Sequence, residues 1–234
     1  MEFTRLTQLT GDPKYFDAIQ RVSNELEKAQ MNTAIPGLWP MIVDLDSLSF
    51  KNRQFTLGGM ADSTYEYLPK QHLMLGDHTK QYQKMYEATV DPIKKNLLFR
   101  PMTKDGEDIL FSGSKTGANL DAEAQHLTCF VGGMFGIGGK IFGRREDVKT
   151  ARKLVDGCIW AYDSMATGLM PEIFHTSVCD DMEFCSWDEQ KWLADVRRNN
   201  HGNSDDDETT RDMAKKLGLP PGMVRVTDSK YILR

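Results

Sequence analysis

Leu57-Gly58-Gly59-Met60-Ala61-Asp62-Ser63-Thr64-Tyr65-Glu66-Tyr67-Leu68-Pro69-Lys70-Gln71 opens on a glycine pair and continues as a helix. Asp62 and Glu66 stand four residues apart, which places both carboxylates on one helical face. Like charges at that spacing repel and cost stability unless something uses them. The plain reading is a solvated acidic face. Tyr65 and Leu68-Pro69 in the same stretch suit the wall of a pocket better than open water.

Outward from this stretch the chain repeats. Thr10-Gly11-Asp12, Leu75-Gly76-Asp77 and Phe142-Gly143-Arg144 each separate two apolar-periodic segments, with the glycines 65 and 67 residues apart. Each glycine stands where a left-handed C-cap ends one helix before the next begins. The spacing predicts second helices over Tyr15–Ala29, Tyr82–Leu98 and Val148–Tyr162. Pro-punctuated segments follow them: Gly37-Leu38-Trp39-Pro40-Met41-Ile42, Leu98-Phe99-Arg100-Pro101-Met102 and Gly168-Leu169-Met170-Pro171-Glu172-Ile173. These read as loops or small hairpins. A period of two helices and a long loop means stacked helical hairpins, as an open solenoid or a closed α/α barrel. Glu2 and Glu66 occupy equivalent positions before Gly11 and Gly76, and each precedes an aromatic, Phe3 and Tyr67. A solenoid spreads such acids along a line, whereas a barrel aims them at one centre. Convergent carboxylates with aromatic walls suit sugar hydrolysis.

The third unit begins Gln125-His126-Leu127-Thr128-Cys129-Phe130 and runs into a glycine-rich helix up to Gly139. Its spacing fits neither dinucleotide-binding nor phosphate-loop patterns, so the small residues are read as allowing close helix contact. His126 is either a satisfied structural histidine or a polar group at the mouth of the shared pocket. Residues 199–222, with Asp205-Asp206-Asp207-Glu208, read as a polar acidic insert; calcium-loop ligand spacing is missing, which favours a solvated loop. The chain of 234 residues, 40% hydrophobic with net charge −5, has ordinary globular composition and no cationic surplus for nucleic acid. No apolar run approaches the ~18 residues that span a bilayer, and no signal peptide is visible.

These residues resemble the class I α-1,2-mannosidases, glycoside hydrolase family 47, along essentially the whole chain. Glu2-Phe3 with Leu9-Thr10-Gly11-Asp12, Leu57 to Gln71, His126-Leu127-Thr128-Cys129-Phe130 with its glycine run, Gly168-Leu169-Met170-Pro171-Glu172 and Tyr231-Ile232-Leu233-Arg234 are similar to five ordered family motifs. The resemblance implies an all-α fold: part of an (α/α)7 barrel, about three helical hairpins with small β-hairpin loops, as one partial domain over 1–234. It implies Ca²⁺-dependent, inverting removal of α-1,2-linked mannose from high-mannose N-glycans. Asp62 takes the place of the catalytic aspartate. Glu2, Met60, Glu66, His126 and Arg234 take substrate-contacting places. At Met60 the endoplasmic-reticulum members carry a branch-restricting Arg, and Met lacks that fork of donors, which implies the wider glycan range of Golgi or fungal secreted members. The family's general acid, candidate general base and Ca²⁺-holding threonine have no counterpart in this stretch. No metal ligand is therefore expected here, and the chain alone is expected to turn over negligibly.

The resemblance further places a disulfide at Cys129 and Cys158. Cys179 and Cys185 bracket a short acidic loop and are spaced for a second; the alternative is four reduced thiols packed as small hydrophobes. Two pairs favour an oxidising lumen, the secretory pathway (endoplasmic reticulum or Golgi) or secretion, with any membrane anchor outside this segment. The competing functions are a non-catalytic mannose-glycan-binding relative and a helical-repeat interaction scaffold.

Overall fold

Three glycines in the left-handed conformation punctuate the chain: Gly11 at φ 72°, Gly76 at φ 59° and Gly143 at φ 71°. A side chain at such a position is strained, so each glycine lets a helix end and the backbone turn back. The computed structural model describes residues 1–76, 78–202 and 206–228. In it the punctuation yields three helical hairpins: α1 (Glu2–Thr10) with α2 (Lys14–Gln30), α3 (Asp62–Met74) with α4 (Gln81–Asn96), and α5 (Phe130–Ile141) with α6 (Arg145–Asp163). The helix expected to reach Leu98 stops at Asn96, because Leu98 and Phe99 leave it for a strand.

The first helices of the hairpins run parallel. The Tyr67 hydroxyl donates to Glu2 Oε1 at 3.2 Å, the Gln71 amide to Thr4 Oγ1 at 2.6 Å and the Gln8 amide to the Met74 carbonyl at 3.1 Å. Partner numbers rise together, with separations of 65, 67 and 66 residues. The sequence repeat is thus the lateral register of α1 against α3. The third unit continues it: a methyl on Gly58 would strike the Gln125 side chain, and the His72 and Phe142 rings meet edge-on at 4.9 Å. The second helices are tied likewise. The buried Gln30 amide donates to the Met85 carbonyl at 2.8 Å and Thr89 Oγ1 at 3.0 Å, and Arg144 reaches Asp91 at 3.0 Å.

Between the two helical layers lies the main core, with Tyr65, Leu68, Met85, Tyr86, Val90, Ile93, Val131 and Phe135 buried. The Tyr65 hydroxyl accepts from the Trp39 N–H and donates to the Trp39 carbonyl, each at 3.0 Å. Burial pushes its pKa up, which keeps it a donor. Facing Tyr65, Leu68 and His72 inward leaves Asp62, Glu66 and Leu73 on the opposite side of α3. The glycines of α5 bring helices together as expected. A Cβ on Gly138 would overlap the Tyr86 ring, and one on Gly139 would press on Val148 of α6.

Short antiparallel strands occupy the connections. β1 (Gln54–Thr56), β4 (Ser114–Thr116) and β5 (Asn119–Asp121) form one sheet in the order β1-β4-β5. β2 (Leu98–Phe99) pairs with β3 (Phe111–Ser112), and β6 (Glu123–Gln125), β7 (Ile173–Thr176) and β8 (Met223–Asp228) form the third. A disulfide joins Cys129, in the 3-10 turn His126–Cys129, to Cys158 of α6 with Cα atoms 6.1 Å apart; a second joins Cys179 and Cys185.

The acidic insert needs correction. After α7 (Glu189–Asn199), the stretch expected to be a solvated loop contains α8 (Asp207–Lys216). Asp206 is its N-cap, accepting from the Thr209 N–H at 2.8 Å, while Asp207 and Glu208 fill the first turn and Lys215 and Lys216 the last. The acidic run therefore matches a helix start and its macrodipole. α7 and α8 bury Trp192, Leu193, Val196 and Ala214 in a separate core cluster.

Gly138→Ala forces a methyl into Tyr86 and is expected to destabilise by about 1–3 kcal/mol. Gly133→Ala, on the exposed side of the same helix with open space around it, is expected to stabilise by about 0.5–1 kcal/mol. Urea unfolding of both variants checks the opposite signs.

Candidate active site

Thr56 at the end of β1 begins the construction. Its hydroxyl accepts from the Gly58 N–H at 3.0 Å, and the Gly58 carbonyl accepts from Ala61 at 3.1 Å and Asp62 at 3.0 Å. That tight wrap starts α3 and throws Met60 outward, 79% exposed and left-handed at φ 72°. Asp62 is the first residue of α3, and its Oδ1 accepts from the Ser63 N–H at 2.9 Å. One turn on, Glu66 does not face Asp62 uncompensated: its carboxylate pairs with Lys70 at 2.6 Å.

Glu2 stands at the start of α1 and reaches the same helix through Tyr67. Hydrogen bonding to its own backbone N–H holds the Glu2 carboxyl below the usual range, and that carboxylate raises the Tyr67 phenol. Tyr67 is thus a hydrogen-bond donor between the two helices.

His126 opens the third unit. Its N–H donates to the Glu172 carbonyl at 2.9 Å, and its Nε2 lies 2.6 Å from the Tyr162 hydroxyl, with the rings 5.7 Å apart. Tyr162 is one helical turn beyond Cys158, so the disulfide and this hydrogen bond fasten both ends of the 3-10 turn to α6. Gln125 against Gly58, and Leu127 3.8 Å from where a Gly59 Cβ would stand, set His126 beside the loop that leads into Asp62. Glu2, Met60, Asp62, Glu66 and His126 therefore collect at the N-terminal ends of parallel helices. Arg234 lies outside the described residues.

The pocket-wall expectation holds for Leu68, which lines an apolar cleft beside α3, but not for the acids. The apolar cleft beside α3, about 240 Å³, is walled by Val22, Leu26, Ser63, Thr64, Tyr67 and Tyr82, with Asp62, Glu66 and His126 outside it. The reason is helical phase: Ser63 and Tyr67 point toward α2, whereas Asp62 and Glu66 point away from it. The acids stand outside that cleft and are half-buried, Glu66 at 27% exposure. The sequence reading attached no role to Tyr162 or Glu172. The latter lies in a quoted motif, but the orienting contact is made by its backbone, which carries no residue signal.

Chemically, the acids' side of α3 offers carboxylates to accept from hydroxyl groups and a donor in Lys70, beside an imidazole held at Nε2 by Tyr162. The family model "Glycosyl hydrolase family 47" matches residues 1–234. A probable mannosyl-oligosaccharide alpha-1,2-mannosidase 1B of Aspergillus niger is 33% identical over 182 residues, covering 77% of this chain and 35% of its own. A mannosyl-oligosaccharide alpha-1,2-mannosidase of Coccidioides posadasii is 33% identical over 180 residues, covering 74% and 34%. Among solved structures, the alpha-1,2-mannosidase from Trichoderma reesei superposes with a TM-score of 0.66 at 29% identity, over 74% of this chain and 36% of that one. The chain thus spans about a third of the length of these relatives, and its three hairpins are part of an α/α barrel.

Met60 pays for its left-handed backbone with about 1–2 kcal/mol of strain, partly offset in a glycine replacement by chain entropy. Met60→Gly is expected to raise unfolding stability by about 0.5–1 kcal/mol, read from the urea midpoint.

Proposed function

This chain belongs to glycosyl hydrolase family 47, and from that premise we propose that it forms the part of an α-1,2-mannosidase that grips a terminal α-1,2-linked mannose of a high-mannose N-glycan. The observation that supports the reading is that Glu2, Asp62 and His126 each head one of three neighbouring helices, with Glu66 one turn into α3. Asp62, at the head of α3, is the carboxylate assigned to the reacting sugar. Glu2 and Glu66 accept from ring hydroxyls, His126 contributes a ring held by Tyr162, and Met60 borders the neighbouring sugar without selecting among branches.

Inverting hydrolysis needs an acid and a base about 6.5–9.5 Å apart with water between. Asp62 is the one catalytic carboxylate assigned to this segment, and binding of the sugar is the step proposed for these residues. The two disulfides support an oxidising compartment, the secretory pathway or the exterior. No helix among the described residues is long and apolar enough to cross a membrane.

The resemblance implies Ca²⁺, which takes six to eight oxygen ligands. The group of potential ligands found among the described residues, Asp121, Glu123 and His175, brings a nitrogen and two carboxylates. That set does not fit Ca²⁺, and no step of the proposed reaction is assigned to it.

Titration of the chain with α-1,2-mannobiose, followed calorimetrically, tests the proposal. Asp62→Asn is expected to weaken binding about 10- to 100-fold, the worth of a hydrogen bond to a charged group, while maltose does not bind. Equal affinity in Asp62→Asn, or no preference for the mannobiose, contradicts the assignment.

A further inference from the structure

Asp121 ends β5 and Glu123 begins β6, with Ala122 between them. Alternate residues of an extended chain project to the same face. Across the β6–β7 ladder, Glu123 is directly opposite His175. One extended segment, from the end of β5 to the start of β6, thus supplies two donors at i and i+2, and β7 supplies the third opposite Glu123. His175 Nε2 lies 3.4 Å from Asp121 Oδ1 and 3.9 Å from Glu123 Oε2, and all three donor atoms fall within 4.8 Å of one another. The His175 side chain is 18% exposed and its Nδ1 is buried, so Nε2 is the nitrogen open to a ligand.

Donors around a tetrahedral Zn²⁺, with bonds of about 2.0–2.2 Å, stand roughly 3.4 Å apart. The His–Asp pair is already at that spacing, and Asp121, 61% exposed, is free to close the remainder. One imidazole with two carboxylates is a borderline set, suited to Zn²⁺ and neighbouring transition ions rather than to hard Ca²⁺.

We propose that Asp121, Glu123 and His175 form a divalent transition-metal site of the Zn²⁺ class, with three protein ligands and an open fourth position. The sequence points to no metal ligand in this segment; His175 lies about fifty residues from the other two donors and joins them only through strand pairing. The site is independent of the mannosidase reading. Its consequence reaches the other site nonetheless: a bound ion clips β5 and β6 to β7, three residues before His126 on the same chain segment.

Calorimetric titration of the untagged chain with ZnCl₂ decides it, with Co²⁺ absorption in the visible reporting four-coordinate geometry. One ion per chain is expected, with affinity at least about 10-fold weaker in Asp121→Asn and in His175→Gln. His78→Gln keeps the wild-type affinity, and equimolar Ca²⁺ does not compete. Circular dichroism checks that each variant is folded; exposed Asp121 carries the test should His175→Gln misfold. Absence of stoichiometric uptake, or equal affinity in Asp121→Asn, overturns the site and leaves a His–carboxylate contact. Displacement by equimolar Ca²⁺ overturns the assigned class of ion.

Discussion

The buried hydrogen bond from Gln71 to Thr4 sets the phase of this structure. Both side chains are buried, so neither finds water if the contact is lost, and an unmet buried amide costs about 1–3 kcal/mol. Flanked by Tyr67–Glu2 and Gln8–Met74, it locks α1 beside α3 one repeat apart. A slip of one residue would rotate each helix about 100° against its neighbour and scatter the acids. Gln30 performs the same service in the outer layer, where its amide bridges α2 to α4. In the third unit the fastening is covalent: Cys129–Cys158 anchors the turn that carries His126.

This registration explains why the acidic end and the apolar cleft occupy different flanks of α3. Residues 63, 67 and 71 face the first hairpin, while residues 62 and 66 face away from both neighbours in the outer layer. Both carboxylates are half-buried there, and Lys70 offsets the charge of Glu66. The solved relative from Trichoderma reesei superposes on this architecture over 74% of this chain and 36% of its own.

Much of the fold is legible in the sequence because glycine marks helix ends physically. Gly11, Gly76 and Gly143 are read as left-handed caps, and all three have positive φ. The glycines of α5, read as permitting close contact, do so against Tyr86 and Val148. Less was legible where one residue type serves two purposes. Asp206 to Glu208 look like a solvated acidic run, yet Asp206 caps α8 and the next two complete its first turn. Trp192, Leu193 and Val196, the buried stripe of α7, do carry a helical spacing in the sequence. At the candidate site, Asp62, Glu66 and Glu2 were legible from spacing and motif. The Tyr162 hydrogen bond, the Glu172 carbonyl contact and the Asp121–Glu123–His175 grouping were not, since each joins residues that only tertiary pairing brings together.

The shared acidic end depends on α1 and α3 holding one register, and a double-mutant cycle on Thr4→Val and Gln71→Leu measures that most directly. Unfolding free energies of the two single variants and the double variant are expected to show a coupling of about 1–2 kcal/mol, since each single change strands a buried polar group that the double change removes. Additivity within about 0.3–0.5 kcal/mol would mean that the two side chains do not meet, and the shared acidic end would lose its basis.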